Sequence, residues 1–194
     1  MPSKPSLVAK TKTLGSDALD AAINRLADSI SQRHANAKDL ILLGIADGGI
    51  ELTRRLATKL KVKRTGTIDI SFHRDDIDQN PIPKEFAPTI MPFDVHGATV
   101  ILIDDVLCSG RTVKAALDEL FDHGRPSKVE LAVLVDRGGR MLPLAADHIG
   151  ISLDTIQSEK VIVSLHRDDS SNDFVGIESA ETHSKIETPK SEIS

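Results

Sequence analysis

Apolar positions along this chain switch between a helical period and short uninterrupted runs. Leu19, Ile23, Leu26 and Ile30 recur at helical spacing and predict a helix from about 16 to 33, capped by Ser16. Residues 40–44 form a short apolar run, the mark of a strand buried on both faces. The turn Ala46-Asp47-Gly48-Gly49 leads into a helix over 50–61 with Leu52, Leu56 and Leu60 on one face. Residues 67–72 and 99–103 predict strands, and a helix over 112–122 follows, with Val113, Ala116, Leu117, Leu120 and Phe121 on its apolar face and Gly124 at C′. Residues 129–135 predict another buried strand, and 148–151, 161–165 and 174–177 short ones. Strands alternating with helices imply an α/β fold with a mainly parallel central sheet flanked by helices.

Other segments lack periodicity. Residues 75–92 hold Pro81, Pro83, Pro88 and Pro92 and read as a long loop or hairpin, of the kind that is usually functional or mobile. Residues 136–146 form a turn-rich loop. Residues 1–15 read as a flexible lead, 16–178 as one domain and 179–194 as a polar, disordered tail. No internal repeat is visible.

Composition narrows the function. The 194 residues suit one domain with a substantial core, and a net charge of −5 argues against whole-molecule attraction to nucleic acid. With no Trp or Tyr and five Phe, a base-stacking surface is not expected. Arg54, Arg55, Lys59, Lys61, Lys63 and Arg64 form a basic run that reads either as a nucleic-acid stripe or, more commonly, as the solvated face of a helix. Cys108 is the single cysteine, so no internal disulfide forms, which agrees with a cytoplasmic protein. Neither a signal-peptide pattern nor an apolar run of membrane-spanning length is present. The seven histidines show no metal-ligand spacing, so no metal site built from side chains is expected.

The richest chemistry lies in Val100-Ile101-Leu102-Ile103-Asp104-Asp105-Val106-Leu107-Cys108-Ser109-Gly110-Arg111-Thr112. An apolar strand ends in two acids and opens through a Gly/Ser/Thr turn onto a helix. Backbone N–H groups, hydroxyls and the helix N-terminus suit a phosphate, and the carboxylates suit vicinal sugar hydroxyls. The 46–49 turn also lies between strand and helix and lets backbone amides approach pyrophosphate, although a plain βα turn has the same glycines. Arg74, at the base of the long loop, can clamp a leaving group. Val135, Asp136 and Arg137 follow a strand to the end of the sheet where ligands bind in such folds.

The central motif resembles the phosphoribosyl-pyrophosphate (PRPP) signature of type I phosphoribosyltransferases. Together with SFHRDD at 71–76, HGRPSKVELAVLVDRGGR at 123–140 and LPLAADHIG at 142–150, the stretch from about 14 to 178 resembles the PyrR family of pyrimidine-operon regulators that are also uracil phosphoribosyltransferases. The resemblance implies a type I phosphoribosyltransferase fold with a small hood, and the conversion of uracil and PRPP to UMP and pyrophosphate. It implies Mg²⁺ held mainly by PRPP and water, and a dimer-based homo-oligomer. It assigns Asp104 and Asp105 to the ribose, 108–112 to the 5′-phosphate, and Ala46, Asp47, Gly48, Gly49 and Arg74 to pyrophosphate. Base contacts are expected around 135–137 and 156–161.

The chain departs from the family pattern where RNA is concerned. Ala46-Asp47-Gly48-Gly49 stands where attenuating relatives have KTRG, Ala145 stands at an arginine position, and the family's DRGHR is DRGGR at 136–140. Phosphate-backbone binding needs basic residues, so these losses put RNA-dependent attenuation in doubt. An RNA-binding UMP sensor with residual enzyme activity, and a transferase for orotate or a purine, remain open alternatives at this level.

Overall fold

The computed structural model describes residues 10–34, 36, 39–70, 89–156 and 158–179. Its larger sheet holds β2 (Ile41–Ile45), β3 (Arg64–Ile68), β4 (Thr99–Leu107), β5 (Lys128–Asp136) and β6 (His148–Ser152) in the order β3-β2-β4-β5-β6, every pairing parallel. The connections include α2 (Gly48–Leu60) and α3 (Arg111–His123), and α1 (Ser16–Arg33) precedes β2. A second sheet pairs β8 (Phe174–Ser179) between β1 (Lys10–Leu14) and β7 (Glu159–Ser164), all antiparallel, and forms the small hood.

The apolar run in β4 is uninterrupted because both faces of the sheet are covered. Ile101 and Ile103 join the core shared with α1 and α2, among Leu19, Ile23, Leu26, Leu52 and Leu56. Val100 and Leu102 face the other way, into the core shared with Val113, Ala116 and Leu120 of α3. Burying each such Leu or Ile stabilises the fold by about 1.5–3 kcal/mol. The hood is tied down by charge as well. Arg55 on α2 donates to the fully buried Asp173 at 2.5 Å and to the His166 carbonyl at 2.7 Å. Asp173 also accepts the His166 backbone N–H at 2.7 Å. Among the described residues, no helix is long and apolar enough to cross a membrane.

Several expectations need correction. Residues 10–14, read as part of a loose lead, form β1, because backbone pairing with β8 needs no apolar face. Ser16 is the first residue of α1 and Gly15 occupies the cap, with no side-chain cap bond. The second helix starts at Gly48 rather than residue 50. The strand expected over 67–72 is β3, which ends at Ile68. The central strand continues past Ile103 to Leu107, since β5 is equally long and pairs with it as far as Leu107↔Asp136. Asp104 and Asp105 therefore sit within the strand rather than beyond it. Phe121 is 39% exposed instead of buried, and its ring lies 5.6 Å from the Arg125 guanidinium. Gly124 does cap α3, but with extended backbone rather than the left-handed form. Residues 75–88 of the proline-rich loop, and the chain ends 1–9 and 180–194, lie outside the described residues.

Candidate functional site

The crevice forms where β2, β4 and β5 end. The first wall comes from β2. After Ile45 the chain turns through Ala46 and Asp47, joined by a cis peptide bond, and enters α2. A Cβ on Gly49 would lie 2.0 Å from the Ile103 carbonyl, and one on Gly48 would lie 2.4 Å from the Asp105 carboxyl group. Only glycine lets α2 begin this close to β4. The same approach brings the 46–49 turn against the acid pair.

The second wall is that pair. Asp104 is 5% exposed and accepts the Asp105 N–H at 3.0 Å. Burial, and then the neighbouring Asp105 charge, push the Asp104 carboxyl well above its usual range. Burial raises Asp105 as well, against the pull of hydrogen bonds from Asp104 and the backbone. Two acids held in a low-dielectric crevice, with no basic side chain paired to them among the described residues, are suited to hydroxyl donors or a cation.

The third part is the loop that links β4 to α3. Gly110 adopts φ +90°, a left-handed conformation that favours glycine, and α3 starts at the next residue with no side-chain cap. The loop is braced on its carbonyl side. Ser109 O accepts the N–H groups of Met141 and Leu142 at 3.0 and 3.1 Å, and Leu107 O accepts that of Arg137 at 3.1 Å. The Arg140 guanidinium donates to Cys108 O at 2.8 Å, Leu107 O at 3.3 Å and Leu144 O at 3.2 Å, and pairs with Asp136 at 2.5 Å. With those carbonyls satisfied, a fixed loop stands at the N-terminus of α3, the arrangement that receives a phosphate.

The β5 end differs from expectation. Val135 is fully buried and offers no side chain to a ligand. Asp136 is engaged by Arg140 and by the Gly138 N–H at 2.9 Å; burial works to raise its carboxyl, but these bonds hold it below the usual range. Arg137 donates to Thr155 Oγ1 at 2.9 Å and to Ile156 O at 3.1 Å, so its side chain shapes the wall. Likewise Val100, Ile101, Leu102 and Ile103 are buried in the core and deliver the strand to the crevice without lining it. Val106 packs against the core, and the Leu107 side chain is buried. Cys108, Ser109 and Thr112 are partly exposed, and Arg111 is exposed at the start of α3. Arg74 lies outside the described residues.

Arg140 is the residue that sequence reading missed. It stood in a quoted motif with no role, although its spacing from Asp136 was visible. Much of the basic run has structural partners: Arg54 and Arg55 pair with Glu51, and Arg64 stacks on Phe93 at 5.5 Å. Lys59, Lys61 and Lys63 are exposed.

Comparison with known proteins agrees with this fold. The phosphoribosyl transferase domain model matches residues 15–170. The chain is 43% identical over 170 residues to the bifunctional protein PyrR of Roseiflexus sp. (strain RS-1), covering 84% of this chain and 92% of that protein. It is 46% identical over 168 residues to the PyrR of Deinococcus deserti (82% and 90% covered), and 42% over 178 residues to that of Bacillus pumilus (87% and 97%). Among solved structures, a hypoxanthine-guanine phosphoribosyltransferase of Bacillus anthracis superposes with a TM-score of 0.63 at 17% identity, covering 89% of this chain and all of that one. Hypoxanthine phosphoribosyltransferase of Trypanosoma cruzi, solved with its product IMP, gives 0.62 at 18% identity, with 90% and 96% covered.

Proposed function

Since the chain belongs to the phosphoribosyltransferase family, and within it to the PyrR family, we propose that it converts uracil and PRPP to UMP and pyrophosphate. The observation that carries this reading is the buried Asp104–Asp105 pair set between the 46–49 turn and the phosphate loop. In the reaction, uracil N1 bonds to C1′ of the ribose, the C1′–O bond to pyrophosphate breaks, and the N1 proton is released. Positive charge builds on the ribose and negative charge on the leaving group. The two carboxylates accept hydrogen bonds from the ribose hydroxyls and oppose the positive charge. Residues 108–112 and the start of α3 hold the 5′-phosphate, and the start of α2 faces pyrophosphate. Arg74 belongs to the same proposal, as a clamp on the leaving group carried in by the proline-rich loop. No side-chain nucleophile is required.

The oxygen-only donor set of Asp104 and Asp105 fits a hard cation, so Mg²⁺ arriving on PRPP and its waters is compatible with this crevice. That ion would neutralise pyrophosphate charge. Uracil is placed at the β5 end, beside the 155–156 turn that Arg137 fixes in place. We assign the reaction to the cytoplasm, where the lone Cys108 stays reduced. We also infer a dimer-based assembly, on the resemblance to the PyrR family alone.

The test is a product assay with purified protein, uracil and PRPP·Mg²⁺. UMP and pyrophosphate should form in equal amounts, and Asp104→Asn/Asp105→Asn should cut kcat/KM by about 100-fold or more. Near-normal turnover in a folded double variant would remove the acids from the mechanism. Regulation through RNA is the other activity that the family resemblance implies, and the residues at Ala46, Gly48, Gly139 and Ala145 speak against strong retention of it.

A further inference from the structure

We propose that His34, Glu130 and His148 form a metal-binding site at the end of the sheet opposite the crevice, suited to one borderline divalent transition ion such as Zn²⁺. The three residues come from distant parts of the chain: His34 follows α1, Glu130 lies near the start of β5, and His148 opens β6. Their donor atoms all lie within 4.8 Å of one another. Glu130 Oε2 is 2.7 Å from His34 Nε2 and 3.1 Å from His148 Nε2. Ligand atoms around a tetrahedral zinc lie about 3.3 Å apart, so small rotations would open the cluster to an ion. Two imidazoles and one carboxylate are a familiar zinc donor set, and a water completes it.

The surroundings favour ligation in three ways. Glu130 is 2% exposed and His148 1%, so their positions are fixed by packing before any ion arrives. Glu130 turns one oxygen, Oε2, to both imidazole rings, so a single carboxylate oxygen already faces both nitrogen donors. Ser29 Oγ lies 2.7 Å from His148 Nδ1. By accepting that nitrogen's proton it would fix the tautomer that leaves Nε2 free to bind an ion. Opposing this, Arg33 and Lys128 approach the other oxygen, Oε1, at 3.1 and 2.6 Å. Arg33 also pairs with Asp147 at 3.0 Å, and both cations come from side chains 44% and 49% exposed that can turn to water. The ion therefore competes with Lys128 and Arg33 for Glu130, and Lys128 sets the affinity. The site is independent of the transferase reading.

The full chain, stripped with a chelator, should be titrated with Zn²⁺ by calorimetry and with Co²⁺ by visible absorption. One equivalent should bind with Kd of about 1 μM or tighter, give a tetrahedral cobalt spectrum and raise Tm. His34→Gln, at a partly exposed position, should weaken binding at least about 10-fold, and Ser29→Ala by a similar factor. Lys128→Met should tighten it, since a like charge is gone; a purely structural histidine cluster would not respond in this way. Absence of binding below about 100 μM, or binding unchanged in both His34→Gln and Lys128→Met, would overturn the site and leave a hydrogen-bonded ion cluster alone.

Discussion

Replacing Asp104 by Asn should make the free protein more stable and the enzyme worse. In the wild-type protein two adjacent acids share a crevice in which burial raises both carboxyls, Asp104 most strongly. Asn keeps the oxygen that accepts the Asp105 N–H at 3.0 Å. Its amide replaces a like charge with a donor aimed at the Asp105 carboxylate. Losing that repulsion and gaining one charge-assisted bond is worth about 1–3 kcal/mol. For a chain of this length, each kcal/mol moves Tm by about 2–4 °C. The pH dependence has a definite sign. Both folded-state values lie above the ordinary 3.8, so the folded protein binds more protons than the unfolded one over the interval between them. Stability is fullest below the unfolded value and falls as pH rises through the folded ones. Scanning calorimetry from pH 4 upward, without ligand, should show that decline in the wild type and a flatter curve in Asp104→Asn. Turnover should fall at least about 10-fold through the lost carboxylate–hydroxyl bonds. A variant that is less stable at every pH, with the wild-type slope and normal turnover, would refute the reasoning.

Two further outcomes follow from the site. Arg140→Gln removes the brace behind the phosphate loop, and PRPP KM should rise about 10-fold with a smaller change in kcat, read by steady-state kinetics; an unchanged KM would mean the loop holds its shape without it. RNA binding should be weak, since each lost phosphate contact removes one unit from the salt-sensitive term. Titration of a pyrimidine-leader hairpin and an unrelated hairpin, with and without UMP, should give micromolar or weaker affinity and little preference. A nanomolar, UMP-enhanced preference would restore the regulator.

What could be read from sequence was set by range. The helices and the β4 run were legible because periodicity is local: Leu19, Ile23, Leu26 and Ile30 each point to the core they occupy. The passage from β4 through the Gly110 turn into α3 was legible because strand, acids and glycine turn are contiguous. β1 was not, since KTKTL has a single apolar residue and its order comes from backbone pairing with β8. The length of β4 depended on β5, and the engagement of Asp136 and Arg137 depended on Arg140, Thr155 and Ile156, none of which a strand-end rule can reveal. His34, Glu130 and His148 are spread across more than half the chain, so no spacing pattern could have joined them.

The central claim is most directly tested by presenting the purified protein with PRPP·Mg²⁺ and uracil, orotate and hypoxanthine in competition, and following which nucleotide forms. UMP should dominate, with orotate and hypoxanthine products at background. Formation of orotidylate or inosinate in preference to UMP, from protein that binds PRPP normally, would contradict the uracil assignment while leaving the phosphoribosyltransferase fold in place.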